Sequence, residues 1–271
     1  MSQILFAGVR FTISGILTIL IGSLLQRKWL KPQKGSGGMI LRLAFFQTVL
    51  QYLLFYIGMA HTTGVKGSII ESASVFMAVL FASVLFHQER LTVGKAFGCV
   101  LGFAGVVLIN LTDCGLSGGF SFIGEGFVLL SAASYAMSSV LMKRYSAKEN
   151  PLTLSGYQFL LGGCVMILVA ISGGGRLEQT SGWSVVLMLY MGALSAAAYS
   201  LWSLLLQHND VSRVAVFAFA TPIFGVFLSA ILLHESSQIP WVQSMASLLL
   251  ACTGICIVNR RGKRCADSRK G

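Results

Sequence analysis

The chain has 271 residues, of which 55% are hydrophobic and only 11% are charged, and its mean hydropathy is +0.77. Soluble domains carry about 25% charged residues, so this composition excludes an ordinary soluble globule and an intrinsically disordered chain. The net charge is +11, but the basic residues lie between apolar stretches and at the C-terminus, so we expect no nucleic-acid partner. The composition therefore predicts an all-α, polytopic membrane helical bundle.

Nine apolar stretches are long enough, or nearly so, to cross a hydrocarbon core of about 30 Å as helices. Each is continuously apolar and lacks the alternation of a barrel strand, which predicts nine transmembrane helices. The predicted spans are Ile4–Leu25, Leu43–Ala60, Val65–Phe86, Val93–Leu111, Gly126–Arg144, Leu152–Ser172, Ser184–Leu206, Val214–Leu233 and Trp241–Val258.

The segments outside the spans carry their basic residues asymmetrically. Of the 20 Lys and Arg residues, 17 lie in the loops after the first, third, fifth and seventh spans and in the C-terminal tail. The other side of the membrane holds only Lys66 and Arg176. The positive-inside rule predicts a multi-pass cell-membrane protein with a cytoplasmic C-terminus and with Met1 outside.

An internal repeat relates the two halves of the chain. The matched pairs, at offsets of 148, 146 and 149, are Gly8–Gly156, Phe11–Phe159, Gly15–Gly163, Val65–Val211, Glu89–Glu235, Gly105–Gly254 and Asn110–Asn259. The first four spans thus repeat as the last four, and the fifth span has no counterpart. Because the repeat unit has five helices, an odd number, its second copy enters the membrane inverted. Chance similarity between apolar segments is the alternative, but it would not preserve helix order and offset together.

The repeat predicts three regions. We expect a first repeat over residues 1–111, whose own first helix is missing, and a second repeat over residues 122–259. A basic cytoplasmic tail then covers residues 260–271.

Several short motifs follow one another in the order found in a known transporter family. They are Gly8-Val-Arg-Phe11, Gln88-Glu-Arg-Leu-Thr92, Gly98 through Gly105-Val-Val-Leu-Ile109, Gly124-Glu-Gly126, Thr221-Pro222, Leu233-His-Glu235 and Gly254-Ile-Cys-Ile257. In these motifs the chain resembles the drug/metabolite transporter superfamily, in its EamA-type ten-helix branch. It departs from that pattern by lacking the first helix and by having Phe76 where the second half has Pro222.

The resemblance implies a membrane transporter of small organic metabolites with an inverted 5+5 helix arrangement. It implies an exporter that works by alternating access between the two inverted repeats, with a small-molecule substrate and membrane lipid as its partners. Proton coupling and a homodimer stay open.

Two ionisable residues, Arg10 and Glu71, lie well inside predicted spans. Each is about six residues from the outer end of its span, or roughly 9 Å deep at 1.5 Å per residue. A lone Arg or Asp at membrane depth costs about 2.5–3.5 kcal/mol on insertion scales and usually faces a cavity or a partner. We therefore predict an Arg10–Glu71 pair that anchors substrate or responds to protons. Alternatively, Arg10 snorkels to the headgroups and Glu71 bonds to neighbouring hydroxyls.

Polar and aromatic side chains spaced by three or four residues mark one face of several spans. They line a central cavity or only join helices to one another, and both interpretations stay open. The cavity-lining candidates are Arg10, Gln47, Gln51, Glu71, Ser72, Tyr135, Gln158, Tyr199 and Trp202. Pro222 interrupts the backbone hydrogen bonds of the eighth span, which predicts either a hinge for alternating access or a static kink.

Other classes of protein fit the sequence less well. It contains no HExxH motif and no phosphate-binding loop, and its histidines do not have metal-ligand spacing, so we expect neither an enzyme nor a cofactor or metal site. A non-transporting remnant or an assembly subunit is the main alternative to a carrier, because the first helix of the family pattern is missing. A membrane-embedded enzyme is less favoured.

Overall fold

The apolar stretches form helices because a backbone in hydrocarbon must satisfy its hydrogen bonds within its own segment. A computed structural model describes residues 3–110, 121–175, 182–232 and 241–260. Every regular element in these residues is a helix. Six helices are long and apolar enough to cross a membrane, and three shorter apolar helices accompany them. The prediction of a polytopic helical bundle is confirmed. Arg176, Glu235 and the tail 261–271 lie outside the described residues.

The nine predicted spans correspond to twelve α-helices, because several spans are composite. The α-helices are α1 (Gln3–Leu25), α2 (Gly37–Leu43), α3 (Gln51–Met59), α4 (Gly64–Glu71), α5 (Ala73–Leu80), α6 (Val93–Asn110), α7 (Phe127–Tyr145), α8 (Pro151–Ser172), α9 (Gly182–His208), α10 (Val211–Val214), α11 (Ala220–Leu232) and α12 (Trp241–Arg260). The π-helical segments are Ala44–Leu50, Phe81–Leu85 and Phe122–Gly126, and a 3-10 helix covers Ala215–Phe219.

The chain divides into two compact units, each drawn from both halves of the sequence. Unit 1 comprises Met1–Tyr56 and Leu141–Asn209, and unit 2 comprises Ile57–Val140 and Asp210–Gly271.

In unit 1, α1 packs along the length of α8. A Cβ at Gly8 would lie 3.1 Å from the Gly163 carbonyl oxygen, and a Cβ at Gly15 would lie 2.8 Å from the Gly156 carbonyl oxygen. From Gly8 to Gly15 along α1, the contacted residue of α8 moves back from Gly163 to Gly156, so the two helices are antiparallel. The repeat offset of 148 maps Gly8 onto Gly156 and Gly15 onto Gly163, so each contact is the repeat counterpart of the other. These matched helices are therefore related by a local two-fold axis.

In unit 2, α6 and α12 pack in the same way. A Cβ at Gly98 would lie 2.7 Å from the Gly254 carbonyl oxygen, and a Cβ at Gly105 would lie 2.7 Å from the Ser247 carbonyl oxygen. The repeat offset of 149 maps Gly98 onto Ser247 and Gly105 onto Gly254, so these two contacts are again repeat counterparts of each other. In both units, therefore, repeat-matched helices run antiparallel, which is the arrangement that the odd-numbered repeat predicts.

The structure corrects two details of the predicted spans. The second span begins at Gly37 instead of Leu43, so Arg42 lies in α2 and not in the preceding loop. A charged residue ends an apolar stretch in the sequence, but it does not end a helix, because Arg has good helix propensity. The third span is one helical span over Gly64–Leu85, but its α-helical hydrogen bonding is interrupted at Ser72, between α4 and α5, where the backbone angles stay right-handed helical.

The close crossing of α1 and α8 predicts that Gly15 does not tolerate a side chain. In the Gly15→Ala variant the new Cβ would lie 2.5 Å from the Leu160 amide nitrogen, so the helices must separate. Overpacking costs about 1–3 kcal/mol, and we expect the thermal unfolding midpoint in detergent to fall. Gly38→Ala is the matched control, since nothing lies within 4 Å of its Cβ position. Equal midpoints for Gly15→Ala and wild type would contradict the crossing.

Candidate functional site

Unit 1 holds a positive charge against a cluster of aromatic rings. Arg10 lies seven residues after the first residue of α1, about 10 Å along the helix axis. Its guanidinium carbon is 4.5 Å from the centre of the Phe11 ring and 5.5 Å from the centre of the Tyr52 ring. A cation over a ring face is stabilised by about 0.5–2 kcal/mol, depending on its exposure to water.

The rings around Arg10 contact one another across four helices, α1, α3, α8 and α9. Phe11 of α1 stacks on its repeat counterpart Phe159 of α8, with ring centres 5.3 Å apart and planes inclined by 9°. Phe159 meets Tyr199 of α9 edge to face. The hydroxyl groups of Tyr52 and Tyr199 share a hydrogen bond. We call Arg10, Phe11, Tyr52, Phe159 and Tyr199 the arginine–tyrosine cluster.

Arg10 has no counter-charge among the described residues of unit 1. Its Nε atom is buried and has no hydrogen-bond partner among the described residues. The one acidic residue in the described part of unit 1 is Glu149, which lies in the turn between α7 and α8 and already accepts three hydrogen bonds. The donors are the Ser36 hydroxyl at 2.6 Å, the backbone amide of Gln33 at 2.8 Å and the backbone amide of Asn150 at 3.0 Å.

These hydrogen bonds stabilise the ionised form of Glu149. Burial by itself would raise the pKa of this carboxyl, but the donors from Ser36, Gln33 and Asn150 outweigh it and hold the pKa below its usual range. Glu149 therefore acts as a structural anion in the α7–α8 turn.

A pair of amides forms a second polar group in unit 1. Gln158 of α8 donates through Nε2 to Oε1 of Gln47 at 2.7 Å, and both side chains are buried. The Oε1 atoms of Gln51 and Gln158 and the hydroxyl of Thr48 are buried without a hydrogen-bond partner in the described residues. Buried polar atoms in this state can accept or donate hydrogen bonds to a ligand or to water.

Unit 2 contains two interrupted helices at corresponding positions of the repeat. In the third span, the amide and the hydroxyl of Ser72 both donate to the Ile69 carbonyl, at 3.1 and 2.5 Å, which tightens the backbone between α4 and α5. At the offset of 146, Ser72 corresponds to Ala218, which lies inside the 3-10 helix Ala215–Phe219 of the eighth span. The two departures from α-helical hydrogen bonding therefore lie at corresponding positions of the two halves.

Glu71 is the last residue of α4, next to the interruption. Its Oε2 atom is buried and has no hydrogen-bond partner in the part of the chain that the structure describes. Nearby, α4 packs on α11, where a Cβ at Gly225 would lie 2.4 Å from the Ser68 hydroxyl. Glu71 is thus three residues after Ser68, the residue at which the two interrupted spans approach closely.

Pro222 lies in the first turn of α11, directly after the 3-10 helix. A proline ring clashes with the carbonyl four residues before it and donates no hydrogen bond. The 3-10 segment is the local consequence, because its hydrogen bonds join residues three apart.

A buried ion pair fixes the entry to α10. The Lys95 ammonium lies 2.6 Å from Oε2 of Glu89, with side chains 9% and 4% exposed. It also donates to the Ser212 hydroxyl at 2.9 Å, while the Ser212 amide and hydroxyl donate to Glu89 at 3.1 and 2.6 Å. Burial alone would raise the pKa of Glu89, but the hydrogen bonds from Lys95 and Ser212 outweigh it and lower the pKa.

The predicted site residues are distributed between the two units. Unit 1 holds Arg10, Gln47, Gln51, Gln158, Tyr199 and Trp202, and unit 2 holds Glu71, Ser72, Tyr135 and Pro222. The structure brings Gln47 to Gln158, and it joins Arg10 to Tyr199 through Tyr52. Tyr135 and Trp202 are half-buried on α7 and α9. Because Arg10 and Glu71 lie in different units, their pairing stays a prediction.

Tyr52, which links Arg10 to Tyr199, was not among the predicted candidates. The candidates predicted on this span, Gln47 and Gln51, form a stripe that assumes regular α-helical spacing. The π-helical segment Ala44–Leu50 has more residues per turn, so the face that follows it is displaced from this stripe. Among the described residues, no group of three His, Cys, Asp or Glu side chains could hold a metal ion.

Comparisons with known proteins identify what the chain is similar to. The model of the EamA-like transporter family matches residues 1–111 and 122–260, which confirms the resemblance found in the sequence motifs. An uncharacterised transporter of Bacillus subtilis strain 168, YvbV, is 28% identical over 263 residues, covering 96% of this chain and 83% of that protein.

Two further relatives come from an archaeon and a plant. An uncharacterised transporter of Archaeoglobus fulgidus is 27% identical over 268 residues, covering 96% of this chain and 90% of that protein. A WAT1-related chloroplastic protein of Arabidopsis thaliana is 26% identical over 188 residues, covering 66% of this chain and 45% of that protein. One crystal structure shares the fold, with a TM-score of 0.72 and 17% identity over 96% of this chain and 89% of that chain.

The lowered pKa of Glu89 predicts a pH-dependent contribution to stability. A depressed folded-state pKa stabilises the fold above the unfolded value of about 4.3, and this contribution is lost as the pH falls through the folded value. We expect Glu89→Gln to lower the unfolding midpoint at pH 7 and to differ progressively less from wild type as the pH falls from 5 towards 3. A difference in midpoint that stays constant over this range would contradict the prediction.

The predicted Arg10–Glu71 pair is testable by a double-mutant cycle on thermal stability. If the charges interact, Arg10→Gln and Glu71→Gln together should destabilise the protein by less than the sum of the single changes, with a coupling of about 0.5–3 kcal/mol. Arg42→Gln combined with Glu71→Gln is the control cycle, and it should be additive because Arg42 is exposed. Additive effects in both cycles would dismiss the pair.

Proposed function

Because the chain belongs to the EamA-like transporter family, we propose that it exports small organic metabolites across the cell membrane by alternating access between two inverted halves. The observation that supports this most strongly is the antiparallel packing of repeat-matched helices, α1 with α8 and α6 with α12. Two halves of inverted topology can exchange their conformations, and a carrier built in this way opens first to one side and then to the other.

In this proposal the regular helix pairs are the rigid parts of the carrier, and the irregular segments are its hinges. The crossings of α1 with α8 and of α6 with α12 bring the helix backbones into close approach at glycines, so these pairs move as rigid bodies. The interruptions at Ser72 and at Ala215–Phe219 are where dihedral angles change most easily, because hinges are short segments at the ends of regular elements. Pro222 keeps the second interruption from closing into a regular helix.

Glu71 is the proposed proton-binding group. A carboxylate at membrane depth costs several kcal/mol, and its Oε2 atom has no hydrogen-bond partner in the described residues. Binding a proton removes this cost. The protonated and ionised forms therefore favour different surroundings, which couples proton binding to a change of conformation.

The test is transport by the full-length protein in proteoliposomes. We expect efflux of at least one class within a panel of amino acids, organic acids, amines and nucleosides, and we expect an imposed pH gradient to accelerate it. In Glu71→Gln the pH gradient should lose its effect, while exchange of labelled for unlabelled substrate continues, because the proton site is lost and the rigid helix pairs remain.

Asp210→Asn is the matched control, because this carboxyl is 51% exposed and its ion pair with Arg213 is long, at 3.8 Å. It should keep the wild-type response to the pH gradient. A folded wild-type protein that moves no member of the panel would contradict the carrier function. A Glu71→Gln variant that still responds to the gradient would contradict only the proton site.

A further inference from the structure

We propose that the cargo is an organic monocarboxylate with an apolar or aromatic body, and that Arg10 binds its carboxylate within the arginine–tyrosine cluster. The proposal names a substrate class for the transport function above and therefore rests on it. It depends on unit 1 alone, and Glu71 of unit 2 is not needed for this mode of binding.

Arg10 carries a charge that no acid in the described part of unit 1 balances. An arginine this far along an apolar helix is normally paired with an anion or placed in a water-filled cavity. Glu149, the one acid in the described part of unit 1, is engaged by Ser36, Gln33 and Asn150. The rings of Phe11 and Tyr52 contact the guanidinium face, but they do not accept the in-plane N–H bonds. The Nε–H of Arg10 is left buried without an acceptor in the described residues.

The geometry of the Arg10 guanidinium indicates which kind of anion would pair with it. A guanidinium presents parallel N–H groups that match the two oxygens of a carboxylate, and such bidentate pairs are among the strongest hydrogen bonds in proteins. In Arg10, the Nε–H and one Nη–H form one such pair of parallel N–H groups. A carboxylate there would neutralise the charge and supply the acceptor that Nε lacks.

The cluster around the charge indicates which kind of body the anion would carry. Phe11 and Phe159 are buried and stack on each other, whereas Tyr52 and Tyr199 are half-buried, so the two tyrosine rings are the surfaces that an apolar or aromatic body would contact. The cluster contains a single cation, so it balances a monoanion. A phosphate dianion would keep an uncompensated charge, and an ammonium would meet Arg10 without a free carboxylate from the described part of unit 1 to bind it.

The experiment compares three probes with the same phenylpropyl frame, namely 3-phenylpropionate, 3-phenylpropanol and 3-phenylpropylamine. Each competes with radiolabelled 3-phenylpropionate for the full-length protein in nanodiscs. Hydrogen bonds to a charged group contribute about 1.5–3 kcal/mol, so we expect the acid to bind roughly 10- to 100-fold more tightly than the alcohol. The amine should bind most weakly.

Variants of Arg10 separate the charge from the geometry of its N–H groups. Arg10→Gln should lower the preference for acid over alcohol at least tenfold, and Arg10→Lys should keep part of it. Arg42→Gln, which removes an exposed arginine of the same unit, should keep the wild-type preference. Size-exclusion chromatography and the unfolding midpoint establish that each variant is folded, and the wild-type probe comparison is decisive even if Arg10→Gln does not fold.

The outcomes separate this proposal from the transport function. Equal wild-type binding of acid and alcohol, tighter binding of the amine, or no binding of the acid at millimolar concentration would overturn the carboxylate site. An acid preference that folded Arg10→Gln retains would also overturn it. Tight, Arg10-dependent binding of the acid without transport in proteoliposomes would instead support the site and contradict the carrier.

Discussion

The close approach of helix backbones at glycine positions is the interaction on which the rest of the structure depends. Lipid offers little hydrophobic driving force between helices, so helices associate in membranes mainly through van der Waals packing and interhelical hydrogen bonds, and small residues let the backbones approach. At Gly8 and Gly15 of α1 and at Gly98 and Gly105 of α6, a Cβ would collide with the backbone of the partner helix. Because the partners are the repeat-matched helices α8 and α12, the same glycines fix their antiparallel orientation.

That orientation connects the sequence repeat to a mechanism. Each unit combines one or more helices from the first half of the chain with their counterparts from the second half. The repeat is therefore expressed within each unit as a local two-fold axis. Around these rigid pairs lie the irregular segments, the π-helix Ala44–Leu50 in unit 1 and the interruptions at Ser72 and Ala215–Phe219 in unit 2. Polar groups inside the apolar helices lie near them, such as Gln47 within the π-helix and Glu71 beside Ser72.

Hydropathy and the repeat predicted much of this architecture. The nine spans were predicted because about 20 apolar residues in a row have few alternatives to a membrane helix, and α6 begins at the predicted Val93. The glycine matches predicted which helices are equivalent, although a repeat alone cannot say that equivalent helices touch. The interruption at Ser72 was not predicted, because a serine in an apolar stretch is equally compatible with a continuous helix.

The candidate site was less accessible to sequence reasoning. Arg10 and Glu71 stood out because charges are rare at membrane depth. Tyr52 did not, because the π-helix before it shifts the side-chain register and leaves no trace in an apolar pattern. The stacking of Phe11 on Phe159 was implicit in the repeat, since both are matched positions on helices that cross. That no acid in the described part of unit 1 is free to pair with Arg10 needed coordinates, because it depends on the hydrogen bonds that Glu149 accepts.

The most direct test of the inverted arrangement is the sidedness of the corresponding ends of α1 and α8. Single cysteines at Lys28, just after α1, and at Gly173, just after α8, can be placed in a background whose native cysteines are replaced by serine and probed with a membrane-impermeant maleimide in intact cells. The two positions should be labelled from opposite sides, Gly173→Cys in intact cells and Lys28→Cys only after permeabilisation. Labelling of both positions from the same side would contradict the inversion of the two halves.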